Sequence, residues 1–109
     1  MRIFCGLVAL LTASSIFAAD PRLGLGEKVF NANCKSCHET GKASNDAPQL
    51  SEADEWRLRL AGGKATLYKN SIEGVTGYYV MPPKGGNAQL SDDEVKAAVD
   101  YIVDKAARP

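Results

Sequence analysis

The sequence predicts a small all-α domain, and three observations support this fold class. Apolar side chains recur at helical spacing over residues 91–103, residues 24–34 form another candidate helix, and no stretch alternates apolar and polar residues for more than a few positions. The length of 109 residues corresponds to one domain. Thirteen basic and thirteen acidic side chains give no net charge, which argues against a nucleic-acid-binding protein because such proteins carry a basic surface.

The N-terminal segment differs in composition from the rest of the chain. Fourteen of the first 19 residues are apolar, against 35 of the remaining 90. A basic residue precedes an uncharged run over residues 3–17, and Ala18 and Ala19 follow it, which is the pattern of a secretory signal peptide. The run is shorter than the about 20 residues of a membrane span. We therefore expect cleavage after Ala18 or Ala19 and a mature, periplasmic domain over residues 20–109, with an uncleaved N-terminal anchor as the alternative.

The strongest chemical signal is the motif Cys34-Lys35-Ser36-Cys37-His38. Two thiols three positions apart on a helical turn can bind covalently to the two vinyl groups on one edge of a porphyrin. The adjacent histidine then lies under the metal, where it can bind iron as the proximal ligand. C-x-x-C-H is the attachment signature of a c-type haem. The motif therefore predicts one haem c, held through Cys34 and Cys37 and ligated by His38.

A redox-active disulfide and half of a zinc site are the alternatives to haem. A thioredoxin-like disulfide needs a βαβ context, and no strand-rich pattern surrounds the motif. A four-ligand zinc site needs further cysteines or histidines, and residues 20–109 contain none beyond Cys34, Cys37 and His38. Haem attachment is the favoured interpretation, and a thiol–disulfide protein without haem is the less favoured one.

Met81 is the candidate for the second axial ligand. Met1 would be removed with the signal peptide, so Met81 provides the one methionine sulfur of the mature chain. Pro82 and Pro83 follow it directly and fix the backbone there. A lone methionine is often core filler, but the haem motif and the proline-rich loop together predict that His38 and Met81 both bind iron. With both axial positions filled, no position remains for a substrate, so we expect an electron carrier and not an enzyme.

From about Leu23 to Ala106 the chain resembles the class I cytochromes c, and among them the bacterial cytochrome c5 type. The matching elements are Gly26-Glu27-Lys28-Val29-Phe30, the C-x-x-C-H motif, Ala47-Pro48-Gln49-Leu50, Trp56, the run from Met81 to Gly86 and the segment from Leu90 to Ile102. Cytochrome c5 proteins often carry an extra cysteine pair near the methionine loop, which this chain lacks. The resemblance implies a small cytochrome c fold of about four helices, with crossing N- and C-terminal helices and loops that wrap a covalently bound haem.

The first and last helices are also predicted from the residues themselves. A helix over residues 24–34 places Gly26 and Phe30 four positions apart on one face. The last helix begins at Ser91, because the Ser91 hydroxyl and the Glu94 side chain can form a capping box. The resemblance implies that Gly26 and Phe30 contact three residues of the last helix: Ala98, Tyr101 and Ile102.

Two shorter helices and two loops are predicted between them. Ser51 and Asp54 resemble a capping pair that opens a helix over residues 52–60, and residues 64–73 form the next helix. The segments rich in Gly, Pro, Asn and Ser are predicted to be loops that wrap the cofactor, and they cover residues 39–49 and 75–89.

Three further site residues follow from the resemblance. The His38 ring nitrogen that does not bind iron should donate a hydrogen bond to the Pro48 carbonyl, because such partners fix the orientation of a ligand. Leu50 would pack against the porphyrin face. Trp56 has two interpretations: it packs in the core, or its indole N–H binds a haem propionate.

We expect the partners to be redox proteins that bind transiently to a monomeric chain, with no nucleic acid. Membrane contact would arise only through partner complexes or an uncleaved signal. Four lysines are candidates for the rim of an exposed haem edge, and they are Lys35, Lys42, Lys64 and Lys84. A permanent haem subunit of a larger oxidoreductase complex would share every motif and remains the alternative function.

Overall fold

The computed structural model describes Ala9, residues 20–40 and residues 46–107. Apart from Ala9 and Asp20, the predicted signal segment and its cleavage sites lie outside these residues. The described part contains five α-helices: α1 (Pro21–Asn33), α2 (Lys35–His38), α3 (Ala53–Ala61), α4 (Lys64–Glu73) and α5 (Asp92–Ala106). A short helical turn at Pro83–Gly86 follows α4. The predicted all-α class is confirmed, and none of the described helices combines the length and apolarity needed to cross a membrane.

Helices α1 and α5 cross in direct contact at Gly26. A Cβ atom at this position would overlap the Ala97 carbonyl and lie 2.9 Å from the Tyr101 Cβ, so the approach requires glycine. One turn later, the Phe30 ring is fully buried and lies 5.3 Å from the Tyr101 ring between centroids. The predicted crossing is confirmed, but Ala97 and not Ala98 faces Gly26. Ala98 packs with Val29 in a different cluster of the core.

The ends of the helices follow local signals in most cases. The predicted capping box is confirmed, because the Ser91 hydroxyl accepts from the Glu94 N–H at 3.1 Å and the Glu94 carboxylate accepts from the Ser91 N–H at 3.0 Å. Helix α4 has the predicted bounds and ends at Gly74, where φ is +82°. Helix α1 begins three residues earlier than predicted, with Asp20 as its cap and Pro21 in its first position.

The predicted start of α3 is wrong. The helix begins at Ala53, and no side chain caps its N-terminus, so Ser51 and Asp54 do not form a capping pair. The Glu52 carboxylate accepts a hydrogen bond from the Gln49 backbone N–H at 3.1 Å instead. The acidic residue before this helix therefore fastens the preceding loop.

The core consists of two clusters of buried side chains. One contains Val29, Leu90, Val95 and Ala98, and the other contains Phe30, Trp56, Ile102 and Ala106. Cys34, at the break between α1 and α2, packs against both clusters. The cysteine motif therefore begins where the two halves of the core meet.

Asp100 of α5 connects three helices through its carboxylate. It accepts hydrogen bonds from Arg22 of α1 at 2.7 Å and from Tyr68 of α4 at 2.5 Å, and Lys64 of α4 lies 2.8 Å away. The carboxylate side chain is only 11% exposed. Burial alone would raise the pKa of Asp100, but the hydrogen bonds from Lys64, Tyr68 and Arg22 together hold the pKa below its ordinary value.

Candidate functional site

The motif Cys34-Lys35-Ser36-Cys37-His38 forms a single helical turn directly after α1. The His38 N–H donates to the Cys34 carbonyl at 3.0 Å, which closes this turn. Both thiols are half-buried and neither is in a disulfide in the described part of the chain. The local fold therefore presents the two sulfur atoms and the imidazole within one turn.

His38 is buried and its ring is fixed by a backbone carbonyl. The His38 Nδ1–H donates to the Pro48 carbonyl at 2.9 Å, the geometry that the resemblance implied. Burial lowers the pKa of His38, with a smaller contribution from the Arg59 charge, although the hydrogen bond to Pro48 acts in the opposite direction. The imidazole is therefore neutral at pH 7, and its lone pair lies on Nε2, for which no described residue is a hydrogen-bond partner.

Gln49 joins the motif to α3, a role that was not predicted from the sequence because its side chain binds backbone carbonyls. Its side-chain amide donates to the Cys37 carbonyl at 2.7 Å and to the Ala47 carbonyl at 2.9 Å. Its own carbonyl accepts from the Trp56 indole N–H at 2.8 Å. In the structure the Trp56 indole N–H therefore has the Gln49 carbonyl as its acceptor, and both interpretations of Trp56 stay predictions.

Leu50 is not on the wall of the cavity described below. Its side chain packs against the core cluster of Phe30 and Trp56. Its backbone N–H donates to the His38 carbonyl at 2.5 Å. The Leu50 backbone therefore holds the histidine turn, and the contact of its side chain with the porphyrin face stays a prediction.

A cavity of about 280 Å³ brings the predicted chemistry together. Cys34, Cys37, His38 and Met81 all line it, and both core clusters contribute to its walls. The remaining walls are mainly apolar and include Val29, Pro48, Trp56, Leu67, Val75, Leu90, Val95, Val99 and Ile102. Two thiols, an unpartnered imidazole nitrogen and a thioether in an apolar cavity fit a covalently attached haem.

The loop that carries Met81 is closed by backbone hydrogen bonds. Val75 and Met81 exchange both N–H to carbonyl bonds at 2.9 Å. Gly74 allows this closure, because a Cβ there would lie 2.7 Å from the Met81 carbonyl oxygen and 2.9 Å from the Pro83 nitrogen. The methionine is therefore held in a rigid frame on the cavity wall.

Three further contacts fix the chain after Met81. The Asn87 side-chain amide donates to the Asn33 side chain at 2.9 Å, and it thereby connects this segment to the end of α1. Lys84 donates to the Leu90 carbonyl at 2.7 Å and pairs with Asp92 at 3.1 Å. These contacts join the methionine segment to the helices on both sides of the cavity.

Comparisons with known proteins agree with this geometry. The profile of the family described as "Cytochrome C oxidase, cbb3-type, subunit III" matches residues 21–102. Cytochrome c-555 of Chlorobaculum tepidum is 41% identical over 96 residues, which cover 87% of this chain and 85% of that protein. Cytochrome c5 of Azotobacter vinelandii is 38% identical over 76 residues, with 68% and 86% covered.

A solved structure supports the same assignment. The cytochrome c in an electron transfer complex with nitrite reductase superposes with a TM-score of 0.63 and 33% identity, and the match covers 84% of this chain and 100% of that chain. The chain belongs to the class I cytochromes c. Like its relatives, this cytochrome is a monohaem electron carrier, and its haem c is bound covalently through Cys34 and Cys37.

The thiol chemistry of the apoprotein also disfavours a thiol–disulfide oxidoreductase. Burial, together with the nearby Cys37, raises the pKa of Cys34 to about 11. A redox-active cysteine needs the opposite shift, because the thiolate is the nucleophile. In the described residues, no group of three or more His, Cys, Asp or Glu side chains is arranged to hold a metal ion.

Most lysines of the predicted rim lie beside acidic side chains of this cytochrome. Lys35 lies 3.8 Å from Glu39, Lys64 pairs with Asp100, and Lys84 pairs with Asp92. Lys42, the fourth lysine of the rim, lies outside the described residues. Three of the four candidate lysines therefore have an acidic partner in the folded chain.

Arg59 is a cavity residue of this cytochrome that the sequence analysis missed. Its side chain lines the haem cavity and pairs with Glu55 at 2.6 Å. The spacing from Trp56 would have revealed it, because residues three positions apart share one face of a helix. Arg59 is the one basic side chain besides Lys84 on the described wall of the cavity.

Proposed function

We propose that His38 Nε2 and Met81 Sδ are the two axial ligands of the haem iron in this cytochrome. One observation carries the proposal: the buried His38 ring, fixed through Nδ1, and the Met81 side chain line the same apolar cavity as both cysteines. When bound, the haem supplies a one-electron couple between ferric and ferrous iron. The protein residues then set its potential, because a methionine opposite a histidine raises the reduction potential.

The residues around the cavity hold the ligands in place and keep water away. The Pro48 carbonyl fixes the orientation of the His38 ring, and this outer contact also increases the basicity of the ligand. The closed loop at Val75 does the same for Met81 by restricting its backbone. The apolar walls limit solvent access, which is a further determinant of the potential. No catalytic residue is required for this function, and we propose that the protein is not an enzyme.

We also propose that the cytochrome is exported and acts in the periplasm. The proposal rests on the signal pattern of residues 1–19, with the mature domain over residues 20–109. In this compartment a monomeric carrier would bind its redox partners only transiently, which agrees with the small interfaces of electron-transfer encounters. Mass spectrometry of the exported protein tests the proposal, and a mature N-terminus other than Ala19 or Asp20 would contradict the predicted cleavage.

A permanent haem subunit of a larger complex is the second candidate function. One observation favours it: the matching family profile is named for a subunit of a cbb3-type oxidase. Fractionation of native cells separates the two candidates. A free carrier elutes at the size of the monomer from the soluble fraction, whereas a subunit stays with a large complex in the membrane fraction.

The ligand assignment is tested by Met81→Ala. We expect the variant to keep its covalent haem and to bind carbon monoxide rapidly in the ferrous state, because the sixth position is open. Its reduction potential should fall by on the order of 0.1 V, a fraction of the about 0.8 V range that axial ligands control. Thr76→Ala, in the exposed part of the same loop, is the matched control and should leave the spectrum and the potential unchanged. An unchanged potential in Met81→Ala would exclude Met81 as the ligand.

A further inference from the structure

The loop before Met81 exposes the largest aromatic patch of the described chain. Tyr78 is 91% exposed, and Tyr79 and Val80 are each 52% exposed. The two tyrosine rings pack edge to face, with centroids 5.0 Å apart. We call residues 75–81 the tyrosine loop. An exposed cluster of large apolar side chains marks an interaction site more often than chance exposure does.

The tyrosine loop is part of the haem site as well as of the surface. The hydrogen bonds between Val75 and Met81 close its base, and Gly77, with a φ of +121°, lies at its turn. Tyr79 and Val80 line the same cavity as His38. A protein that rests on the outer side of the loop is therefore separated from the haem cavity by one layer of side chains.

The loop itself carries no charge, and the charged residues that flank the uncharged run along the chain are Glu73, which is exposed, and Lys84. The ten residues 74–83 contain no Asp, Glu, Lys, Arg or His, and residues 20–109 carry 12 Lys and Arg against 13 Asp and Glu, a net charge of −1. Lys84, at the end of this run, is only 21% exposed and is paired with Asp92. The loop itself therefore offers no charge that could steer a partner, since association rates rise through electrostatics only where opposite potentials face each other.

We propose that the tyrosine loop is the docking surface through which this cytochrome exchanges electrons, and that it fits a redox protein whose own cofactor-side face is apolar and uncharged. The composition agrees with this role, because the centres of protein interfaces are enriched in tyrosine and depleted of charge. The proposal rests on the electron-carrier function. It assigns no docking role to the lysine rim, in contrast to the expectation from the sequence.

Electron self-exchange between ferric and ferrous holoprotein tests the proposal, because a second copy of the chain carries the same uncharged face. Line widths of haem methyl proton resonances in mixtures of the two states give the rate constant. We expect the wild-type rate to change less than about twofold between low and high ionic strength. Tyr78→Ser should slow the exchange at least about fivefold, the effect of losing one tyrosine contact of more than 1 kcal/mol.

A charge at the same position provides a second, independent variant. In Tyr78→Lys, two lysines meet when two copies dock, so the exchange should be slow at low salt and recover as salt is added. This salt dependence is measured within one variant, so it stays interpretable if the baseline rate also changes. Leu58→Ser and Leu58→Lys are matched controls, because Leu58 is 71% exposed and does not line the cavity, and they should exchange within about twofold of wild type.

Two outcomes would overturn the docking proposal. The first is a self-exchange rate in both Tyr78 variants that equals the rate of the wild-type protein. The second is a strong dependence of the rate of the wild-type protein on salt. Failure of the ligand assignment is distinguishable from failure of the docking proposal. It would be visible in the absorption spectrum of the wild-type protein, which is recorded before any exchange is measured.

Discussion

Trp56 shows how one side chain can serve two parts of the site. Its ring is buried 5.7 Å from the His38 ring between centroids, and its indole N–H donates to the Gln49 carbonyl. Gln49 in turn holds the Cys37 carbonyl. The indole therefore supports the haem-binding turn indirectly, through the backbone of the loop that follows it.

Trp56→Phe separates this supporting role from a propionate contact. The variant keeps an aromatic ring in the core and loses one hydrogen bond, so the free energy of unfolding of the holoprotein should fall by about 1–2 kcal/mol. The difference in reduction potential between the variant and the wild type should be close to zero at every pH from 5 to 8. Denaturant unfolding and potentiometry provide the two measurements. A changed potential with unchanged stability would instead indicate that the indole contacts a propionate.

At the scale of the elements, the crossing of α1 and α5 depends on the missing side chain of Gly26. Gly26→Ala would place a methyl group against the Ala97 carbonyl, which belongs to the backbone and cannot move aside. We expect the holoprotein to lose about 3 kcal/mol of unfolding free energy, at the upper end of overpacking effects. Guanidinium unfolding at pH 7 measures the change.

Gly24 offers a matched control for this prediction. It lies in the same helix, and a Cβ there would meet nothing within 4 Å. Because alanine is a better helix former than glycine, Gly24→Ala should be neutral or stabilising by up to about 1 kcal/mol. Equal effects of the two substitutions would show that the crossing does not need close contact at Gly26.

The contribution of the Asp100 carboxylate to the free energy of unfolding should depend on pH. Its pKa in the folded protein lies below the about 3.9 of an unfolded chain, so its stabilising effect is present above pH 4 and is lost as the pH falls through the folded pKa. Asp100→Asn should cost about 2 kcal/mol at pH 7, because three partners lose a charged acceptor. Below pH 4 the difference from wild type should shrink.

Unfolding of both holoproteins between pH 7 and pH 3 measures this difference. Asp54→Asn is the control, because the Asp54 side chain is fully exposed and pairs only with Arg57 at the surface. Such pairs contribute about 1 kcal/mol or less. A gap between Asp100→Asn and wild type that is the same at both ends of the pH range would contradict the assigned role of the carboxylate.

At the scale of the whole molecule, the features that sequence reasoning predicted are those with local signals. The capping box at Ser91 needs only residues three positions apart, and α4 ends where Gly74 adopts a positive φ. The cysteine motif is local as well, since its chemistry lies within five consecutive residues. In each case the relevant contacts are made within one turn of the chain.

The features that were missed or wrong depend on distant partners. Asp100 binds Arg22 and Tyr68, which are 78 and 32 positions away along the chain. Gln49 binds the Cys37 carbonyl, which is 12 positions away. No local pattern specifies these tertiary contacts.

The cavity itself predicts that folding depends on the haem. Both core clusters open onto a cavity of about 280 Å³, so without haem the apolar walls of this cavity would face water. A small domain has a total stability of only about 5–15 kcal/mol and depends on burying such surface. The haem-free polypeptide over residues 20–109 should therefore be largely unfolded in far-ultraviolet circular dichroism, whereas the same polypeptide with attached haem should be helical. A native-like helical spectrum without haem would contradict this dependence.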